Sequence, residues 1–135
     1  MKKTLLPWIA IILVIIAMPY CGSKGSNACD SDPALAVTTT PANGSTELPA
    51  PGPNFPLKVT VTSTMPTGGV TIEVKARQDG QSATFFAETK TSTAKDTDFT
   101  ITGTPSTVTC IVEITVTSKA CNTNKWTGSY RYSKK

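Results

Sequence analysis

The stretch Val108-Thr109-Cys110-Ile111-Val112-Glu113-Ile114-Thr115-Val116-Thr117 alternates apolar and polar side chains. Val108, Cys110, Val112, Ile114 and Val116 fall on one side of an extended chain. Thr109, Glu113, Thr115 and Thr117 fall on the other, where Ile111 is the one apolar exception. Successive side chains of a strand point to opposite faces, so period two marks a strand with one buried face. The same pattern extends upstream. Leu57, Val59 and Val61 alternate with Lys58, Thr60 and Thr62, and Val70, Ile72, Val74 and Ala76 alternate with Thr71, Glu73, Lys75 and Arg77. From Ala34 onward the chain has hardly any of the three-and-four spacing that an amphipathic helix requires.

Turn chemistry separates these runs: Pro41-Ala42-Asn43-Gly44, Pro66-Thr67-Gly68-Gly69, Asp79-Gly80, Gly103-Thr104-Pro105 and Asn122-Thr123-Asn124. Strands are predicted near 35–40, 56–64, 69–77, 82–91, 97–102, 107–117 and 125–133, seven in all. No interval holds a crossover helix, which a parallel α/β fold would need. The expected class is all-β, a seven-stranded antiparallel sandwich with the strand number and spacing of immunoglobulin-like and fibronectin-III-like domains. Segment 45–55, with Pro49, Pro51 and Pro53, reads as an extended crossing or edge segment, because proline has no N–H to give to a ladder.

The chain has 135 residues, and subtracting a leader leaves roughly 110, enough for one ordinary domain and too few for a two-domain enzyme. Of its 13 Lys+Arg, Lys2 and Lys3 belong to the leader, so 11 basic residues face 9 acidic ones. That balance is too slight and scattered for a nucleic-acid footprint. There is no histidine. Ser-His-Asp and Cys-His constellations are therefore excluded, as are histidine metal sites, and no cofactor is expected.

Lys2-Lys3, the apolar run ending at Met18 and the polar stretch that follows have the order of a secretory signal over residues 1–20. From Leu5 to Tyr20 is 16 residues, bracketed by Pro7 and Pro19, short of the roughly 20 that span a bilayer. Cys21 follows at once, then Gly22-Ser23-Lys24-Gly25-Ser26, the composition of a flexible tether over 21–33. This arrangement resembles a bacterial lipoprotein. The resemblance implies that Cys21 becomes the first mature residue and carries a lipid, attaching the chain to a membrane outside the cytoplasm, at the outer membrane or cell surface. A cut after Ala28, which would release a secreted chain, and an uncleaved helix are the alternatives.

Pro41-Ala42-Asn43-Gly44-Ser45-Thr46 followed by Leu48 resembles the opening of bacterial immunoglobulin-like domains. The order of leader, Cys21, Gly/Ser tether and a single sandwich over 34–135 resembles small surface lipoproteins of Gram-negative bacteria, many without an assigned function. The resemblance carries no catalytic residue with it.

If Cys21 is acylated, Cys29, Cys110 and Cys121 remain, so at most one internal bridge forms. Pairing 107–117 with 125–133 as a hairpin would hold Cys110 and Cys121 about 20 Å apart, far beyond bridging range. In an immunoglobulin-like sandwich the start of the first strand lies at the same end as the loop between the last two strands, which brings Cys29 to Cys121. A Cys29–Cys121 disulfide is expected, with Cys110 a buried, reduced thiol; Cys29–Cys110 is the rival pairing.

Asp30/Asp32 and Asp96/Asp98 are the closest carboxylate pairs. Asp96/Asp98 is read as part of a solvated loop before Phe99 in preference to an acid pair or calcium site, and no catalytic motif accompanies either pair. Phe85-Phe86 must place one ring on each side of its strand. Trp126, Tyr130 and Tyr132 share one parity, as candidate ligand-binding residues for sugar rings or as rings packed on the core. The functional expectation is a non-enzymatic surface module, structural or protein-binding (adhesion-type). A glycan-binding module is the alternative, and a small hydrolase is the least supported reading.

Overall fold

The computed structural model describes residues 29–135. The signal segment, Cys21 and the tether as far as residue 28 lie outside the described residues. Within them the chain forms β1 (Val37–Thr40), β2 (Phe55–Val61), β3 (Val70–Gln78), β4 (Thr84–Ser92), β5 (Asp96–Ile101), β6 (Thr109–Ser118) and β7 (Lys125–Ser133), and no helix. One sheet has the order β1-β2-β5 and the other β4-β3-β6-β7, with every pairing antiparallel. The protein is an all-β sandwich, as its period-two patterning requires.

The inward residues close a single core. Leu57, Val59 and Val61 face Val70, Ile72 and Val74 across the sandwich, and β6 adds Cys110, Val112, Ile114 and Val116. Each such aliphatic side chain contributes about 1.5–3 kcal/mol by leaving water. The outward Ile111 is also buried, at 8% exposure. Its cross-strand neighbours are Arg77 on β3 and Arg131 on β7, whose aliphatic stems account for that burial. Both guanidinium groups are held in place, Arg77 by Glu113 at 3.1 Å and Arg131 by Asp79 at 2.7 Å.

Phe85 and Phe86 depart from the expectation of one ring per face. The β3–β4 register slips between Ala76 and Arg77, opposite Phe86 and Thr84. This bulge rotates Phe85 out of strict alternation, and both rings pack partly against the core.

The sheet edges are treated differently from one another. Val61 N donates toward β5 at Lys95 O and Thr62 N donates toward β1 at Ala36 O. The even residues of β2 therefore face β1. Beyond the β1–β2 ladder, which ends at Thr40 and Lys58, the next even residue is Pro56. Its missing N–H falls where no described strand lies alongside. The chain meanwhile leaves β1 and crosses to the other sheet. Residues 44–50 run parallel to β7, with Gly44 N donating to Ser129 O, Arg131 N to Ser45 O, Glu47 N to Arg131 O and Ala50 N to Ser133 O. The proline-rich stretch thus covers the outer edge of β7 over 129–133.

Strand direction sorts the connections into two ends. The links β2–β3, β4–β5 and β6–β7 lie with the start of β1 at one end. Those of β1–β2, β3–β4 and β5–β6 lie with the end of β7 at the other.

Candidate functional site

At the second of these ends, where β1 stops and the chain crosses to β7, an open cleft of about 700 Å³ lies between the two sheets. Pro41, Glu47 and Leu48 come from the crossing segment, Phe55, Leu57 and Lys58 from β2, and Phe99 from β5. Tyr130 and Tyr132 of β7 complete the wall. Leu48, on the rim, is 87% exposed, the one large apolar side chain so exposed among the described residues.

The two tyrosines are core residues with different polar environments. Tyr132 packs against Phe55 with ring centres 4.7 Å apart, and its hydroxyl is 2.7 Å from that of Thr104. The Tyr130 hydroxyl is buried with no hydrogen-bond partner among the described residues. Burial raises both phenols, and the nearby Tyr132 and Glu47 add to the effect at Tyr130. Tyr132 is pushed up to about 12 by burial, against the opposing bond from Thr104.

Trp126 does not join them. It shares their parity, being paired with Val116 as Tyr130 is with Val112, but it stands at the far end of β7. There its ring lies over Gly128 and packs partly on the core. With Tyr130 and Tyr132 each at most 3% exposed, the three aromatics do not form an exposed stacking row.

Compared with known proteins, the chain matches no family model and no curated sequence.

The expected bridge is present. Cys29 and Cys121 are disulfide-bonded, with Cα atoms 4.8 Å apart. Cys110 is buried and unbridged, and burial pushes its thiol up, away from the reactive thiolate. The bridge has a partner that composition did not reveal. Asn124 Oδ1 accepts from Leu35 N, and Asn124 Nδ2 donates to Asp32 Oδ2 and Pro33 O. Residues 29–35 are thus fastened to the β6–β7 connection. The Asn122-Thr123-Asn124 turn signal located this loop, but nothing in it distinguishes a clamp from an ordinary turn.

The carboxylates are engaged individually. Asp96 accepts from Thr60 Oγ1 at 2.7 Å, and Asp98 lies 3.9 Å from Lys58 Nζ. Asp79 is held below the usual carboxylate range by its hydrogen bond from Arg131. No group of three or more Cys, Asp or Glu side chains that could hold a metal ion occurs among the described residues. A second residue that patterning missed is Lys90. It lies on the inner side of β4, opposite Ile72, and donates to Asp98 O at 2.7 Å while its ammonium sits 4.6 Å from the centre of the Phe99 ring. It closes the side of the sandwich where β4 of one sheet passes β5 of the other.

Proposed function

We propose that this chain is a lipid-anchored, extracytoplasmic domain of the immunoglobulin-like or fibronectin-III-like kind that works by contact and not by catalysis. The observation that carries the reading is the fastening of the chain's entry. The bridge and the Asn124 bonds hold residues 29–35 at the end formed by the β2–β3, β4–β5 and β6–β7 links. The cleft, the exposed Leu48 and the C-terminus belong to the opposite end. A domain tethered from Cys21 presents that opposite end away from its membrane, with roughly 28 Å of chain between Cys21 and Cys29 when extended. A disulfide between residues 92 apart in sequence suits an oxidising compartment. The strand order, with three strands facing four, supports the immunoglobulin-like kinship. Two acyl chains or more on Cys21 would give the stable attachment that a single one does not.

The test is the mass of the N-terminal peptide recovered from membranes of the producing cells. Acylated Cys21 supports the reading, and a free amino terminus at any other residue overturns the anchor. Crosslinking at Leu48 on intact cells then reads contact, with a persistent neighbour expected. A glycan-binding module remains the second reading, and it rests on the open cleft. Titration of oligosaccharides against tyrosine emission separates the two.

A further inference from the structure

The edge of β4 carries the clearest unspent feature of the molecule. Lys119 N donates to Gly69 O and Asp79 N to Thr109 O, so the odd residues at both ends of the β3 ladder face β6. Its even residues Val70, Ile72 and Val74 therefore face β4, paired with Ser92, Lys90 and Glu88. It follows that Ala87, Thr89 and Thr91 turn their N–H and C=O groups to the other side of β4. No described strand pairs there. Such an edge is a template for another strand, and its side chains state which strand it accepts. Glu88 and Lys90 lie on the inner side, 3.3 Å apart between Oε1 and Nζ and each more than a third exposed.

We propose that β4 pairs antiparallel with β4 of a second copy of this chain, about a two-fold axis through Thr89, joining the two four-stranded sheets into one continuous sheet. Edge-facing residues must pair with edge-facing residues, which leaves few registers. Centring the axis on Glu88 sets two carboxylates opposite each other, and centring it on Lys90 sets two ammonium groups opposite. Both are destabilising. Centring it on Thr89 places Glu88 opposite Lys90 of the second copy and Lys90 opposite its Glu88. The four charges then alternate around a square, with like charges only on the diagonals. Ala87 and Thr91 pair across the axis, and Thr89 pairs with itself, which gives about six N–H···O bonds. The arrangement is isologous and closes on itself. A strand lacking this charge order would leave Glu88 and Lys90 desolvated against it, so the same residues disfavour other occupants. Lys90 keeps its bond to Asp98 O, since an ammonium has three donors.

The experiment uses the full chain in the cells that make it, and its readout does not depend on lipidation. Thr89→Cys stands about 5.5 Å from its own counterpart in this register, within disulfide range. A covalent dimer is expected on mild oxidation. Ala87→Cys is expected to form none alone but to link to Thr91→Cys when the two are co-expressed. In the Thr89→Cys background, Glu88→Lys or Lys90→Glu is each expected to lower the dimer yield at least tenfold, about 1.4 kcal/mol. Co-expressing these two variants with distinguishable tags restores crosslinking between unlike chains only. Thr89→Pro removes an N–H that the single copy does not use in its ladder. The solubilised full chain carrying it is expected to keep its circular dichroism and sediment as a monomer where the parent sediments as a dimer. No Thr89→Cys dimer, equal yields from Ala87→Cys alone, or yields indifferent to the charge changes would each overturn the proposal. Should a charge variant fail to fold, Thr89→Pro decides by itself.

Discussion

The indole of Trp126 occupies the space that a Cβ on Gly128 would need, two residues along the same face of β7. Asn43 Oδ1 approaches the same point to 2.8 Å while accepting from Ser129 N at 2.9 Å. Gly128 is therefore the seat of the ring and of the crossing segment together. Gly128→Ala is expected to lower stability by about 1–3 kcal/mol through overpacking and to shift Trp126 emission. Combined with Trp126→Ala, the two losses should sum to more than the double variant shows, because the overlap is shared. Urea denaturation of the four chains checks this.

The two buried tyrosines should respond in opposite ways to loss of the hydroxyl. Tyr130→Phe deletes a group with no partner among the described residues and is expected to be neutral or stabilising by up to about 1 kcal/mol. Tyr132→Phe strands the hydroxyl of Thr104, which is only 6% exposed, and should cost about 1–3 kcal/mol. Thermal unfolding at neutral pH separates them.

Alkali tests the same pair. Both phenols are raised in the folded chain above the ordinary value of 10.0, Tyr132 to about 12. An acid with a raised folded value favours the folded state fully below its unfolded value. That advantage is lost as pH rises from 10 through the folded range. The tyrosines' contribution to the unfolding midpoint should therefore be constant below pH 10 and fall above it, and the fall above pH 10 should be shallower in Tyr130→Phe.

Thr107 has φ 63°, a left-handed conformation that a β-branched residue rarely adopts. Its N–H nonetheless donates to Lys134 O at 2.9 Å, which holds the start of β6 to the end of the chain. Thr107→Gly relieves the strain and keeps the N–H, and should raise stability by about 0.5–1 kcal/mol after glycine's own entropic cost. The unfolding midpoint should rise accordingly.

Removing the bridge should be costly. Cys29→Ser with Cys121→Ser frees a loop closed across 92 residues, an effect of about 4–5 kcal/mol in the chain-entropy model. The remaining Asn124 bonds are expected to fray first, as rapid amide exchange at Leu35.

The strands were legible because one buried face per strand imposes period two, and β7 falls on the expected 125–133 span. Limits shifted where turn geometry prevailed over pattern. β2 stops at Val61 because the chain turns just beyond it, where Ser63 N as well as Thr62 N reaches Ala36 O. The Cys29–Cys121 pairing could be read because sandwich topology alone brings those positions together. The candidate site was harder to read. Parity put Tyr130 and Tyr132 on one face, but it does not report that Trp126 lies at the other end, over a glycine. β4 was located near its expected 82–91 span, but its orientation was hidden for a similar reason. Its inner positions hold Glu88 and Lys90, so an edge strand with inward charges carries no apolar period, and only its pairing with β3 shows which way it faces.

The fastening of residues 29–35 also sets how the domain bears tension. A pull on the chain upstream of Cys29 does not run along β1, whose four residues share only a short ladder with β2. It passes through the sulfur bridge into the turn joining β6 and β7, the ten- and nine-residue strands that share the longest hairpin of the sandwich. Force applied between that turn and the far end of the domain loads those ladders in shear, where many hydrogen bonds must yield together. The weakest strand of the fold is thereby taken out of the line of load.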